Sequence, residues 1–134
     1  MIGVLVVTHG SIGEALLASA TQILGAAPQQ VATLSVWRQD DPDDLVLRAR
    51  ELLEGLDAGD GVLVITDIFG ATPGNVVSRL LEDGKVEGVS GASLPMLLRV
   101  LTGRNGSLAG AVKRALSGGS EGVVHMNRDR CCDA

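Results

Sequence analysis

Short apolar runs alternate along this chain with segments of helical period. Ile2–Thr8 is unbroken, β-branched and without three-to-four spacing, so it predicts a strand buried on both faces. Ser11 with Glu14 three residues on is a capping-box pattern, opening a helix over Ile12–Leu24 with Leu16, Leu17, Ala20, Ile23 and Leu24 on one face. Gly25 and Pro28 end it, and Val31–Val36 is a second strand. Asp40-Asp41-Pro42-Asp43-Asp44 starts another helix, with proline in the first turn and carboxylates opposing the dipole. That helix carries Leu45, Leu52, Leu53 and Leu56 and stops in Asp57–Gly61. Val62–Thr66 is a third buried strand, after which Thr72-Pro73 caps a helix reaching about Leu81. A fourth strand is predicted near Val86–Ser90, with helices at Pro95–Thr102 and Ser107–Leu116. Gly118-Gly119 then breaks the chain before a last strand, Gly122–His125.

Helices interleaved with buried strands predict an α/β fold, a doubly wound, mainly parallel sheet covered on both faces. Right-handed crossovers favour the order 2-1-3-4, in which the winding reverses between the first and third strands. Ligands bind at the carboxyl ends of the strands flanking such a reversal. His9 closes the first strand and Asp67 follows the third, so the topology brings a carboxylate to a histidine.

Alone, His9 reads as a structural strand-end histidine and Asp67 as a turn aspartate; their joint placement favours chemistry. An aspartate accepting a proton from one imidazole nitrogen fixes the tautomer and leaves the other lone pair outward, poised as a nucleophile. His9-Gly10 meets a helix amino terminus, a setting that favours phosphate. In Asp67-Ile68-Phe69-Gly70-Ala71-Thr72-Pro73, Gly70 and Ala71 permit a tight loop with inward N–H groups. The Thr72 hydroxyl faces the same crevice. Phosphoryl transfer needs little beyond an in-line nucleophile and donors for the equatorial oxygens. Trp37 and Phe69 fall just past strand ends, where they either pack over loops or form an apolar docking surface. His125 has no evident partner and reads as structural.

Composition narrows the field. One domain of 134 residues holds a real core. A net charge of −5, without a basic stripe or stacking aromatics, argues against nucleic acid. The apolar start lacks a basic flank and is interrupted by His9, so neither a signal peptide nor a membrane span is expected, and the protein reads as cytoplasmic. There is no Walker A pattern, no Rossmann glycine fingerprint after the first strand and no G-x-S-x-G elbow between a strand and the helix after it, and the two histidines are too far apart for a metal site. Cys131 and Cys132 lie in a polar tail over residues 127–134 and read as solvated.

Three blocks resemble the enzyme IIA domains of the mannose family of the phosphoenolpyruvate-dependent sugar phosphotransferase system (PTS). They are Thr8-His9-Gly10, Thr66–Pro73 with Asn75, and Gly91-Ala92-Ser93-Leu94-Pro95-Met96-Leu97, and the likeness covers about Met1–Met126. The resemblance implies that His9 takes a phosphoryl group from phospho-HPr on Nε2 and passes it to a IIB domain or a regulatory target protein. It implies that Asp67 orients the ring, while Gly10 and the N–H groups of Ile68, Phe69, Gly70 and Ala71, with Thr72, hold the phosphoryl oxygens. Leu94, Pro95 and Met96, with Trp37, would border the pocket or a docking surface. No cofactor or metal is implied. A homodimer is, with the last strand adding antiparallel to a sheet edge, in the other subunit if exchanged. The departures are Ala71 and Thr72 where relatives often have Gly and Ser, and Phe69 where some have Trp. Two alternatives are a non-catalytic small-anion-binding module and the phosphotransfer subunit of dihydroxyacetone kinase.

Overall fold

A computed structural model describes residues 1–128. Along the chain lie β1 (Gly3–His9), α1 (Ile12–Leu24), β2 (Val31–Val36), α2 (Pro42–Leu56), β3 (Val62–Thr66), α3 (Thr72–Ser78), β4 (Val86–Ser90), α4 (Leu94–Leu101) and α5 (Leu108–Glu121). The four strands form one parallel sheet in the order β2-β1-β3-β4, as the alternation of elements implies.

Alternate residues of the central strands β1 and β3 feed two separate cores, which is why these two are apolar almost throughout. Val4 and Val6 of β1, with Leu63 and Ile65 of β3, pack under α1, α4 and α5 through Ala20, Met96, Val100 and Ala111. Leu5, Val7, Val62 and Val64 face α2 and α3 through Leu45, Val46, Ala49, Val76 and Val77. At about 1.5–3 kcal/mol for each fully buried aliphatic side chain, these layers hold the strand ends rigidly. The α1 stripe is narrower than its periodicity implies: Ala20 is buried, but Ile23 is 60% exposed and Leu24 39%.

The carboxyl terminus departs from the sequence reading. Helix α5 continues through Gly118 and Gly119 to Glu121, and residues 122–128 form no strand. The glycines are a packing device rather than a break. A Cβ at Gly118 would stand 3.1 Å from the Met96 Cα and 3.2 Å from the Pro95 carbonyl oxygen, so its absence lets α5 lie directly on α4. Val123, Val124 and Met126 are exposed, with no neighbouring strand among the described residues. Of the tail expected over 127–134, Cys131 and Cys132 lie outside the described residues. Among the described residues no helix is long and apolar enough to cross a membrane.

Candidate functional site

The register sets His9 beside Val36 at the carboxyl end of the sheet, and Asp67 directly follows β3. The Asp67 carboxylate reaches across the reversal point. Its Oδ2 lies 2.9 Å from His9 Nδ1 and accepts the His9 backbone N–H at 3.0 Å. Its Oδ1 accepts the Ile68 N–H at 3.0 Å. Partial burial pushes this carboxyl up, but the hydrogen bonds and electrostatic attraction of His9 outweigh it, and Asp67 sits below the ordinary carboxylate value. An ionised Asp67 only accepts, so Nδ1 of a neutral His9 carries the proton and Nε2 keeps its lone pair. The Asp67 side chain is 12% exposed and that of His9 48%. One end of the ring is fixed in protein and the other is open.

His9, Val36, Trp37, Arg38, Asp40, Pro42 and Thr72 line a cleft of about 540 Å³. Gly10 adopts a left-handed φ of 49° with the Trp37 ring lying over it, where a Cβ would come within 3.2 Å of ring carbon. In the loop between β3 and α3 Gly70 takes φ 87°, which leaves Ala71 extended at φ −101° and its Cβ without cost. The N–H groups of Phe69, Gly70, Ala71 and Thr72 make no hydrogen bond among the described residues. Among those residues, no cluster of three metal-ligating side chains occurs.

The sequence profile described as PTS system fructose IIA component matches residues 3–117. The chain belongs to the mannose family of PTS enzyme IIA domains. It is 31% identical over 125 residues to the PTS system mannose-specific EIIAB component of Escherichia coli K12, a match spanning 91% of this chain but only 38% of that protein. To the PTS system fructose-specific EIIA component of Bacillus subtilis 168 it is 30% identical over 103 residues, covering 76% of this chain and 70% of that one. The crystal structure of phosphotransferase system component EIIA from Streptococcus agalactiae superposes with a TM-score of 0.85 at 26% identity, covering 96% and 99% of the two chains.

In this IIA domain several capping and donor assignments shift. Ser11 makes no side-chain cap on α1; the buried Thr8 hydroxyl accepts the Gly13 N–H at 2.8 Å instead, and Glu14 accepts from Ser35. Thr72 does not cap α3, because Ala71 occupies the N-cap position and Thr72 the first helical one; Thr72 lines the cleft, and its hydroxyl makes no hydrogen bond among the described residues. Two expected N–H donors are already engaged. Gly10 donates to the Val36 carbonyl, because the β1–β2 ladder runs to its end, and Ile68 donates to Asp67.

Leu94, Pro95 and Met96 do not reach the His9 cleft. They form the first turn of α4, where Met96 is a core residue at 3% exposure and Pro95 packs against Gly118 and Gly122. Phe69 is 82% exposed and borders a different groove of about 360 Å³, along β4, with Val77, Leu81, Val112 and Leu116. Sequence reasoning missed Arg38, and Asp40, favoured there as part of a helix start, lines the cleft. The usable signal was position: both follow β2 on the crevice side, next to Trp37.

Proposed function

We propose that this IIA domain is a phosphocarrier whose His9 Nε2 accepts a phosphoryl group from phospho-HPr and passes it to a IIB domain or a regulatory target. The observation that carries the reading is the 2.9 Å contact of His9 Nδ1 with Asp67, which leaves Nε2 as the open nucleophile in a cleft shared with Thr72. The Nε2 lone pair attacks phosphorus in line, the bond to the donor nitrogen breaks, and the donor keeps that electron pair. His9 retains its Nδ1 proton, so the phosphorylated ring is cationic, and the Asp67 carboxylate balances it. The Thr72 hydroxyl and the N–H groups of residues 69–72 supply donors for the phosphoryl oxygens. The return step is the same path reversed, with the acceptor's nucleophile in line. No organic cofactor or metal enters these steps, and the protein works in the cytoplasm. The E. coli relative's name couples an A and a B component, which supports a IIB acceptor.

Labelling tests this directly. Phosphoenolpyruvate, the general PTS transferase and HPr should produce an acid-labile, alkali-stable label on the His9 peptide, absent in His9→Ala. No label with a demonstrably active cognate HPr refutes the carrier reading and leaves a small-anion-binding module.

The functional unit in this proposal is a homodimer. β4 is an edge strand beside the apolar groove, and the segment 122–128 carries exposed Val123 and Val124 with strand-like composition. That segment of a second copy, added antiparallel to β4, would cover both surfaces. Light scattering should give a dimer that Val123→Asp with Val124→Asp dissociates. A monomeric wild type at tens of micromolar, a concentration at which stable dimers persist, refutes the arrangement.

A further inference from the structure

We infer that Arg38 is a phosphoryl-binding residue of this chain, pairing its guanidinium with the oxygens of phospho-His9. The inference rests on the phosphocarrier reading and assigns that site a cation. Among the seven residues lining the His9 cleft, Arg38 carries the one permanent positive charge. It follows by two residues the Val36 that stands beside His9 in the sheet. Neighbouring strands lie about 4.8 Å apart and each residue advances about 3.3 Å, distances a long arginine side chain bridges.

The loop that carries Arg38 is fixed rather than loose. Asp40 Oδ2 accepts the Trp37 N–H at 2.8 Å, and the Asp40 N–H donates back to the Trp37 carbonyl at 3.0 Å. This closes a turn over residues 37–40, and the Trp37 ring seats the turn against Gly10. The same contacts occupy the Asp40 carboxylate with backbone. Arg38 itself makes no ion pair or side-chain hydrogen bond among the described residues. An arginine without a carboxylate partner among the described residues therefore lines the nucleophile's cleft.

Charge balance calls for such a group. The other ionised groups at the cleft are Asp67 after β3 and Asp40 in the same loop, both anionic, in a chain of net charge −5. A phosphoryl group adds up to two further negative charges. Asp67 faces the Nδ1 side of the ring and balances the imidazolium, not the phosphoryl oxygens. Arginine presents paired donors in a planar fork that matches phosphate geometry. On transfer the N–P bond forms at Nε2 and breaks at the donor, while Arg38 gives up no proton and only follows the oxygens.

The test compares phosphorylated wild type, Arg38→Gln and Arg38→Lys. In Arg38→Gln the equilibrium between phosphodonor and His9 should move about five- to tenfold toward the donor, the size of one partly solvated charge-assisted contact. The ³¹P titration midpoint of the isolated phosphoprotein should rise, because a neighbouring cation favours the dianion. Arg38→Lys should restore most of the midpoint and part of the equilibrium. In wild type, the Arg38 Nε–H resonance should shift on phosphorylation, a readout that needs no variant. An unchanged midpoint and an unshifted resonance, with wild type labelled normally on His9, overturn the role of Arg38 alone. Slower transfer with an unchanged midpoint also overturns it, assigning Arg38 to partner docking. If wild type takes no label on His9, the carrier reading and this inference fall together.

Discussion

Replacing Asp67 with Asn removes one charge and almost no volume, so it isolates what the carboxylate does. In the phosphorylated state Asp67 faces a cationic ring across 2.9 Å. Coulomb's law bounds that attraction between about 1.4 kcal/mol at the permittivity of water and about 6 kcal/mol at an effective value of 20. The half-exposed His9 ring pulls the figure to the lower part of this range, about 2–3 kcal/mol. At about 1.4 kcal/mol per decade, transfer to Asp67→Asn should be slower by roughly 30- to 150-fold. The assay is a single-turnover rapid quench from phospho-HPr, run alongside the equilibrium distribution of label.

The hydrogen-bond inventory adds a second expectation. Asp67 accepts N–H groups on both oxygens, from His9 through Oδ2 and from Ile68 through Oδ1. An asparagine has one amide oxygen, so one of these faces meets its NH2 group, donor against donor. That mismatch should cost about 1–3 kcal/mol of folding stability. Loss of stability with transfer at the wild-type rate would refute the electrostatic role and reduce Asp67 to a structural clamp.

Three further outcomes follow from the same geometry. His9→Ala should keep the wild-type circular dichroism and change stability by no more than about 1 kcal/mol, since the ring is half exposed; a collapsed fold would contradict the rim placement. Gly10→Ala combines a left-handed φ of 49° with a Cβ 3.2 Å from the Trp37 ring, so it should cost about 1–3 kcal/mol and shift Trp37 fluorescence. A wild-type emission spectrum would show that Trp37 does not lie on Gly10. The pH dependence has a definite sign. Asp67 titrates lower when folded than its ordinary 3.8, so its contribution is full above the unfolded value and is lost as pH falls through the folded one. The stability gap between wild type and Asp67→Asn, read by urea denaturation, should narrow as pH falls below about 4.

The strands and their order were legible because burial on both faces leaves a continuous apolar run, and parallel connections are nearly always right-handed. His9 and Asp67 were legible for the same reason: once the order is fixed, the reversal point names the strand ends that meet. What was not legible depends on contacts between distant segments. Gly118-Gly119 reads as a break until α4 is seen lying against it. Met96 belongs to a matching block, and only the packing shows that its side chain is in the core. Arg38 is an ordinary surface arginine by composition. The turn that places it in the lining of the cleft is closed by an Asp40 carboxylate–Trp37 backbone contact, which no periodicity encodes.

The helix starts carry the argument one step further. Asp41, Ser93 and Ser107 cap α2, α4 and α5 through their side chains, as local propensity predicts. The two helices that begin on either side of His9 are not capped by the residue the sequence offers: at α1 Thr8 replaces Ser11 in accepting the Gly13 N–H, and α3, despite Thr72, has no side-chain cap. A side-chain cap is worth about 0.5–2 kcal/mol, so the fold forgoes stability at the start of α3. Local rules are broken where a site needs the groups for something else. A cap on α3 would turn the Thr72 hydroxyl onto its own backbone and away from the cleft. Leaving it uncapped keeps that hydroxyl and the N–H groups of residues 69–72 free of hydrogen bonds among the described residues, and the proposed transfer requires donors that need not first be released.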